Sequence, residues 1–158
     1  MGSRSGGLVV DASVGVKFLL EEEGSGAARV VFDSRRGREP VVLHVPDLFF
    51  VECANAMRKA ILKRGRPQEE AIRDVELLEA LGVESAPVRH LASAALRIAS
   101  EFSISVYDAV YVALSDRTGA PLVTADRPLF DRLRGTRHRV RWLGEFAPGA
   151  AEETPPGV

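Results

Sequence analysis

Four carboxylates stand where carboxylates are hard to keep. Asp11 closes the apolar run Leu8-Val9-Val10, and Asp126 follows Leu122-Val123-Thr124-Ala125. Glu52 lies between Leu48-Phe49-Phe50-Val51 and Cys53-Ala54, and Asp108 between Val106-Tyr107 and Ala109-Val110. An isolated buried charge is strongly unfavourable and takes up a proton unless something compensates it. Each acid has a local explanation. Asp11 could cap a helix, Asp126 could start the turn before Pro128, Asp108 could complete a capping box with Ser105, and Glu52 could pair with Arg58 or another arginine. Nothing about caps requires two of the four to end strands while the other two lie in apolar sequence. One shared site does. Carboxylates crowded together repel until a cation neutralises them, and Mg²⁺ favours oxygen ligands supplied by a few carboxylates, waters and phosphate oxygens. Such a cation polarises a phosphodiester and lowers the pKa of bound water. The three histidines, His44, His90 and His138, have no zinc-ligand spacing. The expected chemistry is metal-assisted phosphodiester hydrolysis at a site shared by Asp11, Glu52, Asp108 and Asp126. Ser13, Asn55 and Thr124 are short polar neighbours that could orient carboxylates or waters. Ser13 is also a plausible helix N-cap, and Thr124 an ordinary β-branched strand residue.

The elements that would position these acids alternate. Leu8–Val10, Val41–Val45, Val83–Val88, Pro121–Thr124 and Val140–Leu143 read as short apolar strands. Between them lie helical stretches at about 13–23, 27–35, 47–63, 67–81, 90–102, 105–118 and 128–133, punctuated by Gly24, Gly37, Gly65, Gly82 and Gly119. Alternation of this kind predicts a three-layer α/β/α sandwich with a mainly parallel central sheet. Parallel strands would bring Asp11 and Asp126 to one sheet edge, and in such sheets the functional crevice lies beyond the carboxyl ends of the strands. In the helix after Pro67, Ile72, Val75, Leu78 and Leu81 read as a core face, and Leu19, Phe32, Phe49 and Phe50 are candidates for apolar surface left over for a groove.

Composition bounds the rest. The 158 residues, 46% hydrophobic and 27% charged, suit one globular domain, expected over residues 8–146. Residues 1–7 read as a flexible leader or expression scar and 147–158 as a loose tail. The single cysteine, Cys53, excludes an internal disulfide and a cysteine-rich zinc site. No apolar run has the length of a membrane span, and no signal-peptide pattern opens the chain, so the expected location is cytoplasmic.

In order, Leu8-Val9-Val10-Asp11-Ala12-Ser13, Pro46 to Asn55, Val106 to Leu114 and Leu122-Val123-Thr124-Ala125-Asp126 resemble the four acidic motifs of the PIN-domain family. Among its members, the small size is most similar to the VapC ribonuclease toxins of type II toxin–antitoxin pairs. The resemblance implies a Mg²⁺- or Mn²⁺-dependent endoribonuclease, a homodimer, and inhibition by a VapB-like antitoxin whose tail lies in a groove near the site. It also implies that Asp11, Glu52, Asp108 and Asp126 form the acidic, metal-binding quartet, Asp11 and Asp108 foremost and Glu52 and Asp126 directly or through water, with Ser13 and Thr124 on accompanying hydroxyl positions and Asn55 also fitting. A PIN nuclease of RNA processing or DNA metabolism, or a non-catalytic RNA-binding PIN module, is the alternative within the family. A haloacid dehalogenase-type phosphatase would want an aspartate where Ser13 stands, and a receiver domain a late lysine, whereas Lys17, Lys59 and Lys63 all come early.

The net charge of −1 hides an uneven distribution. Arg58, Lys59, Lys63, Arg64 and Arg66 form a run without acids, and from Arg127 to Arg141 six arginines face only Asp131. Basic patches bind phosphates without reading sequence. Arg58, Lys59 and Arg127, near the acidic motifs, are the candidate RNA contacts, against the commoner reading of a solvated charged face.

Overall fold

The central strands of this protein are short and mostly apolar, which is what a parallel sheet covered on both faces demands. The computed structural model describes residues 6–150, so most of the expected leader and tail lie outside the described residues. Strands β1 (Gly7–Val10), β2 (Val42–Pro46), β3 (Glu84–Ala86), β4 (Leu122–Thr124) and β5 (Val140–Trp142) form one sheet in the order β3-β2-β1-β4-β5. Every pairing is parallel. Among the described residues seven α-helices make the connections: α1 (Ala12–Leu19), α2 (Ser25–Asp33), α3 (Leu48–Arg64), α4 (Gln68–Ala80), α5 (Ala92–Phe102), α6 (Val106–Thr118) and α7 (Arg127–Leu133). The chain leaves the central β1 towards β2 and β3, then returns across it to β4 and β5. Right-handed crossovers therefore divide the helices between the two faces of the sheet. The topological switch falls between β1 and β4, the place where open α/β sheets leave a crevice.

The main core includes Val9, Val10, Val14, Phe32, Leu43, Phe49, Tyr111, Leu122 and Leu133. A smaller cluster of Leu20, Met57, Ala60 and Ala71 seals α3 against α4. Phe32 and Phe49 are thus core residues and leave no groove, whereas Leu19 and Phe50 are half-buried. On α4 the buried positions are Ala71 and Leu78, with Ile72 exposed, so the apolar face is turned from the expected one.

Three local expectations are corrected. Helix α1 starts at Ala12 with Asp11, not Ser13, at the N-cap position, and it stops at Leu19. The stop has a cause: the Ser25 hydroxyl donates to the Leu20 carbonyl at 2.6 Å and accepts from the Glu22 N–H at 2.9 Å, folding the next residues into a turn. Strand β3 covers only Glu84–Ala86, because it is an edge strand and Pro87 has no N–H to extend the ladder.

Helix α1 crosses α3 closely at Gly15. A Cβ there would lie 2.7 Å from Phe49 Cζ and 2.8 Å from Cys53 Sγ. The bare backbone lets α3 approach α1, which begins directly after Asp11, and with α3 comes Glu52, the neighbour of Cys53.

Candidate metal-binding active site

Register places the site. Val9 pairs with Leu122 and Val10 with Val123, and the Asp11 N–H donates to the Val123 carbonyl at 3.1 Å. Asp11 and Thr124 thus leave the sheet side by side at the switch point. Oδ2 of Asp11 accepts the Ser13 hydroxyl at 2.6 Å and the Thr124 hydroxyl at 2.8 Å. Each hydroxyl has one proton and spends it there, so the 3.3 Å approach between Ser13 and Thr124 is a contact without a shared proton. Their lone pairs accept in turn from the chain beyond β4: Ser13 from the Ala125 N–H at 2.9 Å, Thr124 from the Asp126 N–H at 3.0 Å. Two side chains and one carboxylate thereby lock the ends of β1 and β4 together and fix where Asp126 emerges.

The other acids converge from helices. Asp126 caps α7, its Oδ1 accepting the Leu129 N–H at 3.1 Å. Asp108 sits in the first turn of α6, whose N-cap Ser105 accepts the Asp108 N–H at 3.0 Å. The capping explanations therefore hold locally for Asp126 and, on the Ser105 side, for Asp108, and they coexist with a shared site. The pairing expected for Glu52 does not form: among the described residues its Oε1 is buried without a hydrogen-bond partner, as is the hydroxyl of Tyr111.

The carboxylates feel one another. Burial pushes Asp11 up to about 6, the Ser13 and Thr124 hydroxyls oppose this, and the charges of Asp108 and Asp126 add to it. Glu52 is raised to about 7 by burial and then by Asp11 and Asp108, partly offset by the nearby Tyr111 hydroxyl. Asp108 is raised by burial and by Asp126, with Ser105 opposing. Burial and the charges of Asp11 and Glu52 also hold the Tyr111 proton in place. The site is short of positive charge. An all-oxygen donor set, with one carboxylate oxygen orphaned and a free Oδ1 on Asp11, fits a hard divalent cation. Among the described residues no three acidic, histidine or cysteine side chains stand together as a ready chelating cluster. The arrangement therefore suits an ion that retains much of its water shell rather than a closed protein cage.

The remaining expected residues separate. Asn55 is exposed, one turn beyond Glu52, and hydrogen-bonds to none of the acids. Arg58 and Lys59 are exposed on α3. The arginine run near the C-terminus is largely spoken for: Arg134 pairs with Asp131, Arg137 with Glu101 through both carboxylate oxygens, and Arg141 with Glu145. Arg139 donates to the Gly119 carbonyl. Arg127 differs. Its guanidinium stands 3.9 Å from the centroid of the Trp142 ring and 5.6 Å from that of Phe130, beside Asp126. Sequence reasoning assigned no role to Tyr111 or Trp142. Tyr111 follows Asp108 by three residues, hence on the same helical face, and that spacing was the available signal. Trp142 is placed by strand pairing alone, opposite Thr124.

Comparison with known proteins agrees with this architecture. The PIN domain model matches residues 8–135. Ribonuclease VapC3 of Pyrobaculum aerophilum is 33% identical over 131 residues, 79% of this chain and 93% of that one. Ribonuclease VapC9 of Mycobacterium tuberculosis is 33% identical over 78% of this chain and 89% of its own. A crystal structure of a Pyrobaculum aerophilum protein superposes with a TM-score of 0.65 at 24% identity, covering 97% of this chain and 94% of that one. The VapBC2 complex of Rickettsia felis, bound to a promoter DNA fragment, contains a chain that superposes with a TM-score of 0.59 at 10% identity, covering 86% of this chain and 98% of that one.

Proposed function

From the premise that this chain belongs to the PIN-domain family, we infer that it is a metal-dependent endoribonuclease acting as the toxin of a toxin–antitoxin pair. What supports the reading is that Asp11, Glu52, Asp108 and Asp126 influence one another's charge near the switch point of the sheet. Mg²⁺ is the expected cation, with Mn²⁺ as a substitute. RNA is the substrate, a VapB-like antitoxin the inhibitory partner, and a homodimer the working state. Among the described residues no helix is long and apolar enough to cross a membrane, in keeping with action in the cytoplasm. The nuclease domain occupies residues 8–146.

The residues divide the work. Ser13 and Thr124 hold Asp11 so that its second oxygen faces the crevice. Asp108 and Asp126 face it from two helix starts, and Glu52 from the middle of the first turns of α3. A bound divalent cation would neutralise these acids, polarise a phosphodiester and make an attacking water more acidic. The protein's own contribution is to keep the carboxylates crowded and partly dehydrated, which strengthens their hold on a cation.

The test is cleavage of a pool of structured RNA with Mg²⁺, Mn²⁺ or EDTA, comparing wild type with Asp11→Asn and Asp108→Asn. Cleavage abolished by EDTA and by either substitution supports the reading. Equal cleavage by the variants overturns it. Co-purification with, and silencing by, the product of a small neighbouring reading frame tests the toxin assignment separately.

A further inference from the structure

Next to the acidic crevice, on the β5 side, lies a cavity of about 550 Å³. Its lining includes Lys17, Gly26, Ala27, Ala125, Trp142 and Pro148. Its place is fixed by features already described. Ala125 is the residue whose N–H is held by Ser13, one step before Asp126. Trp142 is the register partner of Thr124, so it stands two strands from Asp11, about 10 Å away at ordinary strand spacing. The lining is mainly apolar, the volume falls in the range of small-ligand sites, and a single aromatic ring forms part of the wall. The ring is held firmly. Arg127 covers it on one side, Phe130 lies 5.7 Å away centroid to centroid, and Gly144 leaves the space it fills, since a Cβ there would come within 2.7 Å of the indole nitrogen. Lys17 is tied to the Glu23 carbonyl at 2.8 Å, which places its charge at the rim.

We propose that this cavity is a nucleobase subsite: an unstacked base flanking the scissile phosphate enters it and packs on Trp142, while Arg127 is held against the indole to meet the adjoining backbone phosphate. The proposal rests on the ribonuclease reading above. Single-stranded RNA is bound by stacking of splayed bases on aromatic rings and by cations along the backbone, and a ring already rigidified loses little freedom on binding. Ala125 lines the cavity and is the residue before Asp126, so a strand whose phosphate reached the acids would carry its neighbouring base towards Trp142. This gives a catalytic site that itself reads no base a means of choosing where to cut.

The test uses two oligoribonucleotides spanning a mapped cut site, one intact and one with an abasic ribose at the flanking position, and two protein variants. Gly26→Leu fills the cavity from α2, where an added Cβ meets only Pro148 at 3.6 Å, so the fold should be kept. Trp142→Leu removes the ring but retains bulk. For wild type the abasic ribose should lower kcat/KM by about five- to a hundredfold, the range of one base stack. Each variant should show a similar loss on the intact substrate and none further on the abasic one. Trp142 is the only tryptophan, so its fluorescence in Asp108→Asn, which binds without cutting, should be quenched by intact and not by abasic RNA. A flat abasic series, equal losses by the variants on both substrates, or fluorescence that responds to a partner protein and not to RNA would each overturn the subsite while leaving the nuclease reading intact. No cleavage by the wild type would overturn both.

Discussion

Removing the charge of Asp11 should destroy activity and stabilise the metal-free fold. Its carboxyl moves from the ordinary 3.8 to about 6 on folding, so the folded chain holds that proton more tightly than the unfolded one. The stability linked to the proton is complete below about pH 3.8 and is lost as the pH rises through about 6. At about 1.4 kcal/mol per pH unit, the loss approaches 3 kcal/mol at pH 8 and is about 1 kcal/mol at pH 4.5. Asparagine is uncharged at every pH, and its single carbonyl oxygen can take the place of Oδ2, accepting from both Ser13 and Thr124. Asp11→Asn in EDTA at pH 8 should therefore be more stable than wild type by about 2–3 kcal/mol, a rise in Tm of about 4–12 °C for a domain of this size. The advantage should shrink towards pH 4.5. Excess Mg²⁺ should raise the Tm of wild type far more than that of the variant, because a ligand stabilises only the state that binds it. Urea denaturation at three pH values, with and without EDTA, measures all of this. A variant less stable than wild type at pH 8, or an advantage independent of pH, would refute the reasoning, since either result means that burial of the charge is not what raises the Asp11 carboxyl.

Two further outcomes follow from the same geometry. Protons compete with the cation for Asp11 and Glu52, whose carboxyls titrate near 6 and 7, so Mg²⁺ affinity measured calorimetrically should rise between pH 5.5 and 8 with proton release on binding; a flat affinity over that range would contradict the assignment of these acids as ligands. Gly15→Ala drives a methyl group into Phe49 and Cys53, so it should cost about 1–3 kcal/mol by overpacking and, by pushing α3 from α1, lower kcat while Gly26→Leu leaves stability unchanged; denaturation midpoints together with single-turnover cleavage decide it.

The acids and the sheet were legible because their signals are local. A valine run that stops at an aspartate reads as a strand aimed at a site wherever it occurs, and Leu8–Asp11 and Leu122–Asp126 both say so. The α/β/α order followed from the alternation, and the structure makes the sheet wholly parallel. What sequence could not show depends on partners distant in the chain. Ser13 carries the local signature of an N-cap, yet its hydroxyl turns to Asp11 and to Ala125, 112 positions away. The arginines after Arg127 read as a basic stripe because Glu101, which neutralises Arg137, lies far upstream. Asn55 shares a helical face with Glu52 but points to solvent, since a helical repeat fixes direction only to within part of a turn. Trp142 gained its place from register with Thr124, and register between strands is not written in either strand alone.

The closure of β1 against β4 has a consequence for the order of synthesis. Everything needed to pair β1 with β2 and β2 with β3, and three of the four acids, has been translated by residue 108, yet one of the two hydroxyls that hold Asp11 belongs to Thr124 and the last acid is Asp126. Until those residues leave the ribosome, β1 is an edge with an unpaired backbone and Asp11 lacks one of its two restraints. At ordinary elongation rates of about 5–20 residues per second, that interval is on the order of a second. A chain that cuts RNA thus acquires its cutting geometry only after β4 and Asp126 have been made. Fragments that end before β4 should therefore fail to cleave for a topological reason, independent of any inhibitor.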